Sequence, residues 1–433
     1  MMFKVLQQSY FIKQFRYSLS AQFSSLIQKQ TKATQEQTVL YPGASTRWTE
    51  KVQLFKVEDQ PVIPTYRVLD LDGFILNSSQ DPQLGKKTSV EMYKCMVMLN
   101  TMDKVMYDAQ RQGRISFYMT NYGEEATHVG SAAALSPKDL IYGQYRESGV
   151  LLWRGYTLNQ FMDQCYGNCD DQGLGRQMPV HHGSKALNFV TLSSPLTTQM
   201  PQAVGSAYAY KRAKNNCCVI VYFGEGAASE GDCHAAFNFA ATLEVPVIFF
   251  CRNNGYAIST PVSEQYRGDG IAGRAAGYGI AALRVDGNDI FAVYNATQTA
   301  RKYVLENFKP IIIEALTYRV GHHSTSDDSS AYRSIQEVQQ WEEVNPIQRF
   351  RKYLEQNKWW DEEQQNKFVA DAKKQVLKAF AEAEKKPKPE WQEMFYDTYY
   401  ELPNHLMKQM QYMENHIKKY QDKYPLKDFK VAK

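Results

Sequence analysis

Glu225 stands between two glycines in Gly224-Glu225-Gly226, directly after the apolar run 217–223, and Asn253-Asn254 follow the next apolar run, 247–250. Glycines here allow a tight turn and close backbone approach to a ligand. Free N–H groups at a helix start favour an anion such as a phosphate. Glu225 is itself an anion, so a phosphate beside it calls for a cation between the two. Mg²⁺ takes oxygen ligands in an octahedral shell that it commonly shares with phosphates. Glu225, the side-chain oxygen of Asn254 and the carbonyl of Tyr256 make such a set. Glu225 and Asn254 are 29 residues apart, which fits one helix plus one strand. A nicotinamide-type G-x-G-x-x-G turn fits less well, because Ser229 occupies the place of the third glycine or alanine. A purely structural turn is the blander alternative.

The elements around these residues follow from hydrophobic pattern. Apolar runs at 140–145, 217–223, 245–250, 281–287 and 309–319 read as strands, with helical patterns at 201–214, 230–243 and 289–306. Strands apolar throughout and separated by helix-length connections imply an α/β fold, with a mainly parallel sheet covered by helices on both faces. Ligands of such sheets collect at the carboxyl ends of the strands, where both the Gly-Glu-Gly turn and the asparagine pair are expected. A helix is expected over 89–112, its methionines in the core, ending at Gly113. Residues 36–88 read as an extended N-terminal arm, 89–335 as the α/β domain and 336–433 as a helical C-terminal region, in which "KKPKPEW" is a breaker.

The chain has 433 residues, 43% hydrophobic and 22% charged, with 50 basic against 46 acidic side chains and a net charge of +4. That near balance, with no basic stripe interleaved with aromatics, argues against a nucleic-acid partner. No apolar stretch approaches the ~20 residues of a spanning helix, so no membrane insertion is expected. The seven cysteines form no framework; Cys165 and Cys169 lack a second pair or a neighbouring histidine. Residues 1–35 carry Lys4, Lys13, Arg16, Lys29 and Lys32 before the first acid, Glu36. A basic, acid-free, serine-rich leader is the pattern of a mitochondrial transit peptide, and the mitochondrial matrix is the expected location.

A Gly-acid-Gly followed at this spacing by Asn-Asn is the thiamine-diphosphate motif. Together with "GEGAASEGDCHAAFNFAATLEVPVIFFCRNNGYAISTP", "YRVGHHSTSDDSSAYRS", "YGQYRESGVLLWRG", "GRQMPVHHG" and "SSPLTTQMPQAVG", it closely resembles the alpha subunits of the branched-chain 2-oxoacid dehydrogenases. These belong to the thiamine-diphosphate-dependent 2-oxoacid dehydrogenase family, and the resemblance runs from about Arg47 to the C-terminus. The motif's acid is Glu225 where related enzymes often have Asp, with the same charge. The resemblance implies the thiamine-diphosphate-binding fold and oxidative decarboxylation of branched-chain 2-oxoacids. The acyl group would pass to the lipoyl group of a transacylase core. It also implies a separate beta subunit in an α₂β₂ tetramer, which supplies the activating glutamate, so that this chain alone has no activity. Pyruvate dehydrogenase alpha subunits are the nearest rival, and "AISTP" and "HHSTSDDSSAYR" argue against them.

The resemblance also assigns residues. Glu225, Asn254 and Tyr256 would coordinate Mg²⁺. Tyr145, Arg146, Arg252 and His323 would face the diphosphate, with backbone N–H contacts from Gly226 and Ala227, and Ser194 and Leu196 would meet the aminopyrimidine. Ser193, Pro195, Thr198 and Gln199 correspond to a K⁺ site. Of the eight histidines, His323 is the expected proton donor in acyl transfer. His128 and His234 read as structural, His405 and His416 as solvated, and His181-His182 as either site-lining or satisfied loop residues. Ser324 is implied as the inhibitory phosphosite of a dedicated kinase, with a matching phosphatase, and Ser334 as a second. A phosphate brings about −2 charge, which beside His323 would repel the diphosphate or disorder the loop.

Overall fold

The computed structural model describes residues 38–41, 44–47, 49–396 and 398–431. The leader expected at 1–35 lies outside them. The chain divides into two units, Met1–Pro61 and Val62–Lys433. In the first, Thr38–Tyr41 and Ala44–Arg47 pair as an antiparallel hairpin.

The second unit is built on a seven-stranded sheet. Its strands are β1 (Thr65–Tyr66), β2 (Leu140–Tyr142), β3 (Phe189–Val190), β4 (Val219–Gly224), β5 (Val247–Asn253), β6 (Ala281–Asp286) and β7 (Ile311–Leu316). They lie in the order β1-β6-β7-β5-β4-β2-β3, and every pairing is parallel. The central strands read as continuous apolar runs because both faces are covered. Ile220, Tyr222, Ile248, Phe250, Ile311 and Ile313 enter one core. Val219, Val221, Phe223, Val247, Phe249 and Ile312 enter the other. Each such side chain contributes on the order of 1.5–3 kcal/mol by leaving water.

The helices that matter here are α1 (Lys86–Arg111), α2 (Glu125–Ala133), α3 (Gln199–Ala213), α4 (Gly231–Leu243), α5 (Ile290–Asn307) and α6 (Glu362–Glu384). The methionines of α1 at 92, 96, 102 and 106 are buried in the first core, with Val376, Ala379 and Phe380 of α6. Ala203 and Val204 of α3 and Ala236, Phe237 and Ala240 of α4 close the second. Sequence signals set the starts: Asp289 caps α5 by accepting from the N–H groups of Phe291 and Ala292, and Asp361 caps α6 through Gln364.

One expected strand is shorter than its apolar run, the strand Phe189–Val190 had no such run to announce it, and the turn after Gly226 adds a feature the hydrophobic pattern does not show. The run 140–145 is a strand only to Tyr142, because a side chain, Glu147, captures the next backbone N–H groups. After Gly226 the chain makes a 3₁₀ turn, Ala227–Ser229, before α4 begins at Gly231. No helix among the described residues is long and apolar enough to cross a membrane, and all seven cysteines are free.

Candidate active site

Four neighbouring strands, β7-β5-β4-β2, deliver their carboxyl ends to one cavity of about 440 Å³. From β2 come Tyr145 and Arg146, from β4 Glu225, Gly226 and Ala227, and from β5 Arg252, Asn254 and Tyr256. From β7 come His323 and Arg319, and the loop before α3 adds Ser194 and Leu196. Every residue expected at the diphosphate, the aminopyrimidine or the magnesium therefore lines this one cavity.

At the β4–β5 edge, Glu225 is 1% exposed, and its Oε1 has no hydrogen-bond partner. Its Oε2 accepts from the Asn254 N–H at 3.2 Å. Burial pushes the carboxyl up to about 7, against hydrogen bonds from its own and the Asn254 backbone. A bare, buried carboxylate oxygen of this kind is costly unless a cation meets it. Asn254 Oδ1 accepts from the Tyr256 N–H at 3.2 Å, which holds the side chain beside Glu225. The Tyr256 ring turns away and donates to Glu337 at 3.0 Å, so the carbonyl is what Tyr256 can offer. Gly226 is required by close approach: a Cβ there would lie 2.4 Å from that of Ala257. Gly224 is not, since its added Cβ would meet nothing nearer than 3.9 Å. Only the second glycine of the turn is therefore forced by packing.

Behind this edge lies a buried ion network. Arg252 donates through Nε and Nη2 to Glu147 Oε1, at 3.0 and 2.6 Å, and through Nη1 to Glu124 Oε2 at 2.8 Å. Burial works against its charge, but Glu124 and Glu147 outweigh that and hold it above its ordinary value. A guanidinium carries five N–H donors, so two remain after these three bonds. Arg146 donates to the carbonyls of Thr120 and, at 2.8 Å, His323. Sequence reasoning missed Glu124, Glu147 and Arg319. The one local signal was an acid directly after the Tyr145-Arg146 pair.

His323 is half-buried, with its ring edge-on to Tyr145 at 6.2 Å. Burial, then Arg146 and Arg319, push it down to about 3, with Asp327 opposing. It is a neutral imidazole here, and serving as a proton donor requires negative charge nearby to raise its basicity. The loop that follows is tied at both ends. Asp327 accepts from the His323 N–H at 2.7 Å and from Tyr332 Oη at 2.6 Å, and Arg319 reaches Tyr332 at 3.1 Å. Ser324 Oγ lies 3.0 Å from Ser326 Oγ, and exposed Ser334 caps Ile335–Glu342 through the Glu337 N–H.

His181 Nε2 meets Ser194 Oγ at 2.5 Å, whereas His182 packs edge-on against Phe161 at 4.8 Å. Of that pair, His181 neighbours the cavity and His182 belongs to the core. Ser193, Pro195, Thr198 and Gln199 do not line the cavity. Thr198 Oγ1 donates to the Pro195 carbonyl at 3.2 Å, and Gln199 gives its amide N–H to Tyr222, leaving Oε1 as an acceptor. Among the described residues, no three His, Cys, Asp or Glu side chains are grouped to hold a metal. The set expected to hold magnesium, Glu225, Asn254 and Tyr256, has a single carboxylate.

Residues 93–392 match the model of the dehydrogenase E1 component family. The chain belongs to this family. It is also 60% identical over 381 residues to the mitochondrial 2-oxoisovalerate dehydrogenase subunit alpha of Caenorhabditis elegans, covering 88% of each chain. The human protein of the same name is 60% identical over 390 residues, covering 90% of this chain and 88% of its own. An Arabidopsis thaliana alpha 2 subunit is 48% identical over 403 residues, covering 93% and 85%. E1 components of this family use thiamine diphosphate. The cavity suits that group: Arg146, Arg252 and Arg319 line it, as a diphosphate would require, and among its lining residues Glu225 offers a buried carboxylate oxygen without a hydrogen-bond partner, where a bridging cation would be held.

Proposed function

We propose that this chain is the alpha subunit of a branched-chain 2-oxoacid dehydrogenase. With a beta subunit, in an α₂β₂ assembly, it would decarboxylate branched-chain 2-oxoacids oxidatively and pass the acyl group to a lipoyl-bearing transacylase core. The relatives carry the 2-oxoisovalerate name, so the pyruvate reading is not favoured. The observation that carries the proposal is the convergence of Glu225, Asn254, Arg146, Arg252 and Arg319 on one cavity at four strand ends.

Bound thiamine diphosphate supplies a carbanion that adds to the carbonyl carbon of a 2-oxoacid and takes up the electron pair released with carbon dioxide. Glu225, Asn254 and the Tyr256 carbonyl would hold Mg²⁺. Arg146, Arg252 and Tyr145 would face the diphosphate, with the Gly226 and Ala227 backbone, while Ser194 and Leu196 would flank the aminopyrimidine. Ser193, Pro195, Thr198 and Gln199 would hold K⁺ and steady their loop. His323 would give a proton during acyl transfer. Phosphorylation of Ser324, and more weakly Ser334, would switch the enzyme off through a kinase and back on through a phosphatase. The chain would act in the mitochondrial matrix after losing about its first 35 residues.

Calorimetric titration of Mg²⁺ and thiamine diphosphate into the co-expressed alpha–beta protein tests the reading. The expected result is saturable, Mg²⁺-dependent binding, with turnover by the assembly and none by the purified chain. Absence of binding, or full turnover by the chain alone, would contradict it.

A further inference from the structure

We propose that Glu147 is a positioning residue: its carboxylate sets the Tyr145-Arg146 loop and the Arg252 guanidinium in register for the cofactor. The inference rests on the thiamine-diphosphate reading above and assigns a role to a residue that touches the site only through others.

The Glu147 side chain is 0% exposed, and its two oxygens serve different partners. Oε2 accepts from three successive backbone N–H groups, those of Gln144, Tyr145 and Arg146, at 2.8, 2.9 and 3.0 Å. Oε1 accepts from Nε and Nη2 of Arg252. One carboxylate thus joins the end of β2 to the end of β5 across the β4 strand between them. Gln144 completes the tie to β4, its side-chain oxygen accepting from the Gly224 N–H at 2.8 Å.

Ordinary structural duties do not account for this arrangement. Glu147 occupies the N-cap position of Ser148–Trp153, yet its side chain makes no capping bond to that helix and folds back over the preceding loop. The loop is shaped to receive it. A Cβ on Gly143 would lie 2.9 Å from Glu147 Oε2. The charge is needed as well as the shape, because both oxygens face only donors. Glutamine carries one acceptor and one donor group, so either orientation points an –NH₂ at a row of N–H groups.

The test uses the co-expressed alpha–beta protein freed of cofactor, as wild type, E147Q and E147D. Hydrogen exchange is read at the amides of residues 144–146, and thiamine diphosphate with Mg²⁺ is titrated by calorimetry. In E147Q these three amides should exchange at least about 10-fold faster, while the strand amides of β4 and β5 keep wild-type rates. Cofactor affinity should fall by about 10- to 100-fold, the usual consequence of losing a hydrogen bond to a charged group. The kcat at saturating cofactor should stay within about threefold of wild type, which separates positioning from chemistry. E147D keeps the charge with less reach and should fall between the two. It decides the matter in the same titration if E147Q fails to assemble. Wild-type affinity in the variants, or unchanged exchange at 144–146, overturns the proposal. Failure of the wild-type protein to bind thiamine diphosphate overturns the functional reading instead, and the exchange result then still judges the loop-holding role.

Discussion

Replacing Glu225 by glutamine should change stability in opposite directions without and with ligand. Burial raises this carboxyl from 4.5 to about 7, so the folded state holds its proton more tightly than the unfolded chain does. The group's contribution to stability is therefore greatest below pH 4.5, falls as pH rises toward 7, and is fully lost above that. The difference corresponds to about 3 kcal/mol of destabilisation at pH 8. Glutamine removes that cost but places an amide N–H₂ where Oε1 now lies without a partner, which costs about 1 kcal/mol. The net gain is about 2 kcal/mol, read as a rise of a few degrees in Tm. With Mg²⁺ and thiamine diphosphate at about 100 times Kd, wild type gains about 2.7 kcal/mol by mass action. The variant, lacking the carboxylate that would hold the cation, should gain almost nothing. The two melting curves should therefore change order when ligand is added at pH 8 to the co-expressed assembly. A variant less stable than wild type without ligand refutes the burial argument, and one stabilised equally by ligand refutes the cation site.

Other consequences can be measured on the same assembly. His182 is pushed down to about 3 by burial and then by His181, so the folded state refuses a proton that the unfolded chain takes up below pH 6.5. Its contribution is complete above 6.5 and declines by about 1.4 kcal/mol per pH unit as pH falls toward 3. H182F should therefore gain in Tm relative to wild type between pH 7 and pH 5, and parallel curves would contradict this. G226A should lose about 1–3 kcal/mol through overpacking against Ala257, while G224A stays within about 0.5 kcal/mol; equal losses in thermal unfolding would show that the turn is read wrongly. S324E should lower decarboxylation on the order of 10-fold or more through charge beside His323, with S324A near wild type and S334E affected less. Full activity in S324E would remove the regulatory reading.

The parts of the fold that were legible in the sequence are those set by local pattern. The apolar runs at 219–224, 247–253 and 311–316 announce themselves because both faces of each strand are covered, and α1 is marked by its buried methionines. The meeting of Glu225 with Asn254 was legible because each directly follows an apolar run that reads as a strand, and parallel strands of one sheet bring such ends together. The network behind them was not. Glu147 pairs with Arg252 across 105 residues and Glu124 with Arg252 across 128, and nothing in local periodicity marks an acid whose partner is so distant. The other oxygen of Glu147 ended β2 three residues early by accepting from the N–H groups of residues 144–146, against a run whose composition still reads as strand. Arg319, at the end of β7, was hidden for the same reason: its partners lie on two loops whose meeting depends on the whole sheet.

The central claim is that this cavity serves a branched 2-oxoacid, and comparing substrates tests it most directly. The chain without its first ~35 residues would be co-expressed with its beta partner and supplied with thiamine diphosphate, Mg²⁺ and an artificial electron acceptor. The account predicts a kcat/KM for 3-methyl-2-oxobutanoate far above that for pyruvate. Preference for pyruvate would contradict the substrate claim while leaving the fold and the Glu225–Asn254 edge in place, and turnover of neither would contradict the account as a whole.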